Sequence, residues 1–183
     1  MRYSFHSEQW LPYSVDEVFA FFANPENLPR LMPRWQDARI EEAVLAPAPP
    51  RPSAGRANLR SAVAGPGSRI TLSFRPFPYS PVRLSWEAEI SEFKWDHHFC
   101  DIQLRGPFAS WRHCHTVAPE VCFDRAANAV AGTVLRDEVE YDVPFGILGR
   151  LAHCLFLSRQ LHKTFAYRQA RTLTLLAAAS RTR

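Results

Sequence analysis

Two histidines and two aspartates set the chemistry this sequence can offer. The run Trp111-Arg112-His113-Cys114-His115 places Trp111, His113 and His115 at every second position; Asp101 and Gln103 precede it, and Asp137, Val139 and Tyr141 follow. If these segments are strands, period-two alternation puts all of those residues on one face. Arg112, Arg136, Glu138 and Glu140 then fall on the other face, where water can solvate them. A turn at Gly106-Pro107 sets Asp101 beside His113 and Gln103 beside Trp111, about 5 Å apart at Cβ. A carboxylate so placed can fix a histidine's tautomer and support acid or base chemistry, with Tyr141 as a hydrogen-bond donor. The alternative is a satisfied polar network that pins the register, and no nucleophile accompanies the pair. His113 and His115 could also hold zinc with Asp137 or Asp101, but His-x-His is common by chance. We assign no metal and no cofactor.

The elements that must position these groups follow from local signals. Tyr3 to Leu11 alternates as a first strand, and Ser14-Val-Asp-Glu17 is a capping box that starts a helix over Val15 to Phe22. Asn24-Pro25-Glu26 starts a second short helix, which Pro33 ends. A second strand follows in Ala38 to Leu45, and then a proline-rich, exposed loop over Ala46 to Gly55. Alternation predicts further strands at Arg56 to Val63, Arg69 to Phe74, Val82 to Glu92, His98 to Leu104, Phe108 to Ala118 and Thr133 to Pro144, joined by turns short enough for a meander. After Gly146 the period changes, and Ile147, Leu151, Leu155, Leu161 and Phe165 predict one long amphipathic helix to about Ala178. The expected class is α+β, a bent antiparallel sheet of about seven strands around a long C-terminal helix, with two short helices between strands one and two.

A chain of 183 residues, 46% hydrophobic and 22% charged, has the size and composition of one globular domain, 1–183. Its formal net charge of +4 is spread among interleaved acids, which argues against nucleic-acid binding. The N-terminus lacks the apolar core of a secretory signal, and Arg150, His153, Arg159 and Lys163 interrupt the C-terminal apolar run before it could span a membrane. The expected location is the cytoplasm; Cys100 and Cys114 lie opposite one another across a hairpin, where a bridge is conceivable, but a reducing cytoplasm favours small packing residues. Arg150, Arg159, Lys163, Arg168 and Arg171 read as a solvated helix face; the functional alternative is peripheral contact with an anionic membrane surface. Nothing in the sequence marks an oligomeric state.

Several segments together carry a family resemblance. Trp111 to His115, the R-G-P-F of Arg105 to Phe108, the D-x-V-E-Y of Asp137 to Tyr141, P-F-G-x-L-G-R-L-A-H from Pro144, R-Q-L-x-x-x-F-A-Y-R from Arg159, and the stretch Leu11 to Leu28 resemble a bacterial ligand-binding branch of the SRPBCC superfamily. That superfamily includes START, Bet v 1 and polyketide cyclase/dehydrase domains. The chain departs from the pattern in its longer proline-rich connection and its longer Cys122 to Gly132 hairpin. The resemblance implies a helix-grip fold with a hydrophobic ligand cavity between sheet and helix, but no single reaction. Trp86, Phe99, Trp111, Tyr141, Phe156 and Phe165 would form its apolar wall, and Asp101, Gln103, His113, His115, Asp137 and Tyr141 would orient the polar end of a lipid, isoprenoid or polyketide-like molecule. The chain thus reads as a binder rather than an enzyme. One alternative is a cyclase or dehydratase using Asp101, His113 and Tyr141; another is a co-chaperone-like module that binds a partner through its surface. An oxygenase subunit is disfavoured, since neither a Rieske cysteine-histidine pair nor facial-triad spacing is present.

Overall fold

Alternating strands and well-placed caps account for most of the chain's path. The computed structural model describes residues 2–52, 62–123 and 126–181. Seven strands form one antiparallel sheet: β1 (Arg2–Leu11), β2 (Arg39–Val44), β3 (Arg69–Phe74), β4 (Leu84–Lys94), β5 (His98–Arg105), β6 (Ser110–Phe123) and β7 (Ala129–Asp142). Their spatial order is β1-β7-β6-β5-β4-β3-β2, so the strands between β2 and β7 are a meander and β1 returns to pair with β7. Glu17 accepts from the Ser14 backbone N–H at 3.4 Å and from its Oγ at 3.0 Å, starting α1 (Val15–Ala23). Asn24 Oδ1 then accepts from the Glu26 N–H at 3.0 Å and starts a 3-10 turn that leads into the short α2 (Leu28–Leu31).

The C-terminal helix is interrupted where the sequence predicts one continuous element. It consists of α3 (Gly146–Ala152), a π-helical turn (His153–Leu157) and α4 (Ser158–Arg181). Leu161 and Phe165 of α4 pack against Phe5, Trp111, Val139 and Tyr141 of the sheet. Each buried side chain of this size contributes about 1.5–3 kcal/mol. Gln169 ties α4 to β1 by donating to Ser7 Oγ at 2.8 Å and to the Glu8 carbonyl at 3.0 Å. A second core, around Leu11, Phe19, Phe99, Leu135 and Leu175, holds α1 on the far end of the sheet.

Three further regions bear on the sequence reading. Most of the strand anticipated over Arg56 to Val63 lies outside the described residues, and Ala62 and Val63 belong to no strand. The described part of the proline-rich loop is largely exposed and is fastened at two points: Trp95 donates its indole N–H to the Pro49 carbonyl at 2.6 Å, and Arg51 pairs with Asp96 at 2.5 Å. Cys100 and Cys114, expected to be reduced, form a disulfide. They are paired directly across β5 and β6, and their Cα atoms lie 4.1 Å apart.

Candidate functional site

The register of three strands builds the polar cluster. Asp101 on β5 faces His113 on β6, while on β7 Val139 faces His113 and Asp137 faces His115. All of these side chains project to the concave side, toward α4. His113 lies between two carboxylates: its Nε2 is 3.0 Å from Asp137 Oδ1, and its Nδ1 is 3.8 Å from Asp101 Oδ1. His115 Nδ1 is 2.6 Å from the same Asp137 oxygen, off the line of a straight N–H···O bond. From α4, Arg168 reaches His115 Nε2 at 3.3 Å and comes within 4.0 Å of Asp137 Oδ1, its guanidinium lying over the rings of Phe22 and Phe165. Arg168 was expected on a solvated face, yet its side chain is only 12% exposed. It sits seven residues beyond Leu161 and three beyond Phe165, on the same inward side.

The charges of the cluster follow from this geometry. Burial pushes the Asp137 carboxyl upward, but Arg168 and the two histidines outweigh it and hold the group well below the usual carboxylate range. Burial drives His115 down to about 3, helped by the charges of His113 and Arg168, so its ring is neutral near pH 7. Asp101 is raised by burial, partly offset by His113 and Arg168. Asp101, His113 and His115 could present one ligand atom each to a metal, all within 4.8 Å of one another. The Arg168 guanidinium at His115 Nε2 works against that use, because it both engages the nitrogen and repels a cation.

A second polar group lies nearer the helix break. Tyr141 Oη and His153 Nε2 are 2.9 Å apart, and the Tyr3 ring stacks on His153 with centroids 3.6 Å apart. Burial raises the Tyr141 hydroxyl and lowers His153, so the phenol stays protonated and the imidazole neutral. With Tyr141 as donor, the ring proton of His153 is on Nδ1.

Between sheet and helix lies a cavity of about 460 Å³. Trp86, Phe99, Asp101, Trp111, His113, His115, Phe156 and Phe165 line it. Gln103, Asp137 and Tyr141 are not in its lining. Gln103 is turned to its own hairpin, donating to the Phe108 carbonyl at 2.8 Å; Asp137 contacts the two histidines, and the Tyr141 hydroxyl meets His153. Sequence reasoning did not single out Gln36, His153 or Gln160, or Arg168 as a lining residue. Apart from His115 Nδ1, which is held against Asp137, four side-chain atoms in this lining are buried without a protein hydrogen-bond partner among the described residues: Gln36 Oε1, His153 Nδ1, Gln160 Nε2 and Arg168 Nε.

The model of the family described as "Polyketide cyclase / dehydrase and lipid transport" matches residues 11–167. The chain belongs to this family. Membership agrees with the SRPBCC resemblance, with the helix-grip architecture of open sheet and long helix, and with a ligand-binding role for the fold. Similar solved structures include a protein of Thermus thermophilus (TM-score 0.59, 16% identity, 97% of this chain and 99% of that one). Another is a protein of Chromobacterium violaceum (TM-score 0.62, 15% identity, 94% and 96%). A third, a nucleoside-diphosphate sugar epimerase of Corynebacterium glutamicum, is matched over 97% of this chain but only 30% of its own length (TM-score 0.57, 20% identity). At these identities the likeness is one of fold. No curated protein matches the sequence. No described helix is long and apolar enough to cross a membrane.

Proposed function

We propose that the chain binds an apolar small molecule carrying oxygen atoms at several positions, as a polyketide-like compound does, rather than a plain acyl chain. The observation that carries this reading is the set of polar side chains, Gln36, His153, Gln160 and Arg168, that join Asp101, His113 and His115 in lining a largely apolar cavity, each of the first four with a buried atom that has no protein hydrogen-bond partner among the described residues. A bare hydrocarbon would leave each of those atoms unpaired, at a cost of about 1–3 kcal/mol per group. Carbonyl or hydroxyl oxygens would pair Arg168 Nε, Gln160 Nε2 and the Nδ1–H of His153, and a hydroxyl would pair Gln36 Oε1. The volume of about 460 Å³ is in the range of small-molecule sites. Native mass spectrometry of freshly purified protein, followed by organic extraction, tests this. The expected result is a retained oxygenated apolar mass. Retention of saturated acyl chains alone, with no affinity for hydroxylated aromatic polyketides, would overturn it.

A second reading is supported by His113 and Asp101, which face one another from the cavity wall. There the pair would move a proton on a bound carbonyl compound, as in a cyclase or dehydratase. Turnover of such a compound that His113→Ala abolishes, with binding retained, would favour catalysis. Turnover that survives the substitution removes the proposed base.

A further inference from the structure

The helix that closes the cavity carries its apolar stripe on the wrong side for a core element. In α3 and the π turn, with the residue that precedes them, Phe145 is 83% exposed, Ile147 83%, Leu148 74%, Leu151 57% and Leu155 70%. The inward side of the same segment is made by Gly149 and His153, and a Cβ added at Gly149 would collide with the Pro144 carbonyl, so this side is packed as closely as backbone allows. A surface helix normally buries such residues. Here they form a ridge, and an exposed apolar patch of this kind marks an interaction site. Phe145, at the start of the ridge, has a left-handed backbone (φ 66°) that is costly for a bulky residue and projects its ring outward.

Two facts say what meets the ridge. It is continuous with the cavity, because Phe145 and Phe156 belong both to the exposed surface and to the cavity lining. Its stretch of chain is also basic: from Val143 onward the sequence contains Arg150, Arg159, Lys163, Arg168, Arg171, Arg181 and Arg183 and not one aspartate or glutamate. Arg150, Arg159 and Lys163 are exposed. Apolar side chains flanked by basic ones match the interface of an anionic bilayer, where acyl chains take up the former and lipid phosphates pair with the latter.

We infer that this ridge docks on the surface of an anionic phospholipid bilayer and presents the cavity mouth to it. The inference does not depend on what the cavity holds, and the test uses no cavity ligand, so each can fail alone. The full chain is floated with vesicles of phosphatidylcholine, with and without phosphatidylglycerol. The expected result is binding to the anionic vesicles that weakens with salt and falls at least about tenfold in Leu148→Asp/Leu151→Asp, whose melting curve stays that of the parent. Phe145→Trp should show a blue-shifted emission on binding, reporting that this position enters the apolar layer. Binding that survives the double aspartate variant would overturn the inference. So would absence of binding together with a concentration-dependent dimer that Leu148→Asp dissolves, which would make the ridge an interface between copies.

Discussion

The floor and the rim of the cavity are built on opposite terms. On the floor, Asp101, His113, His115, Asp137 and Arg168 sit in a web of charge-assisted contacts fixed by three adjacent strands and one helix. At the rim, Phe145, Ile147, Leu148, Leu151 and Leu155 stand largely exposed on a short helix and its flanks. The floor is costly to alter because each member neutralises or orients another. The rim can change without loss of fold, since its side chains point out of the molecule.

The sharpest way to break this contrast is to remove the hub of the floor. Asp137→Ala leaves Arg168 and two imidazoles without their shared carboxylate and should cost about 3–5 kcal/mol in urea denaturation. A loss below about 1 kcal/mol, the scale of an exposed ion pair, would show the web to be incidental. Next in size is the response to acid. The folded chain keeps His115 neutral down to about pH 3, whereas the unfolded chain protonates it near pH 6.5. Between those values the unfolded state binds more protons, so stability falls as pH falls, by at most ~1.4 kcal/mol per unit from this group. The depressed Asp137 adds its own loss only below about pH 3.9, where the unfolded carboxyl takes up a proton first. His115→Gln should flatten the upper part of that slope, as thermal melts across the range would show; an unchanged slope would locate it elsewhere.

Smaller still is the effect of blunting one orphaned donor. Gln160→Leu should lower affinity for an oxygenated ligand by about 1–3 kcal/mol while leaving that for an alkane-like probe unchanged, as titration calorimetry would read. Equal losses for both probes would mean that Gln160 shapes the cavity rather than pairing with an oxygen. The smallest change belongs to the rim. Phe145→Gly relieves a left-handed backbone and should leave stability unchanged or raise it by up to about 1 kcal/mol. A clear loss of stability there would mean that the ring packs on something after all.

What the sequence reveals follows the same division. Alternation is a strong signal where one face of a sheet is buried, so the pairing of Asp101 with His113 and the shared face of Trp111, His115, Asp137 and Tyr141 are legible from spacing alone. Gln103 shares that alternation, yet its amide closes the adjacent turn, a local competition that periodicity does not register. Arg168 looks like one more cation on a basic helix. Its offset from Leu161 and Phe165 is the signal that places it inside. Gln36 lies in a 3-10 turn, where no period points anywhere. His153 is hidden by the break in the helix, because a periodic pattern is read as though the turn never widens.

That widened turn sets the rotational phase of everything before it. A π turn holds one residue more than an α turn, and one residue is worth about 100° around the axis. With the extra residue taken up over His153–Leu157, Gly149 and His153 fall in line with Leu161, Phe165 and Arg168 along one inward stripe. An unbroken α-helix of the same sequence would swing α3 by about a quarter turn, carrying His153 away from Tyr141 and the apolar ridge away from its outward aim. A single surplus residue thus works as a gear between two halves of one helix, so that the half gripping the cavity and the half facing outward can each keep its own alignment.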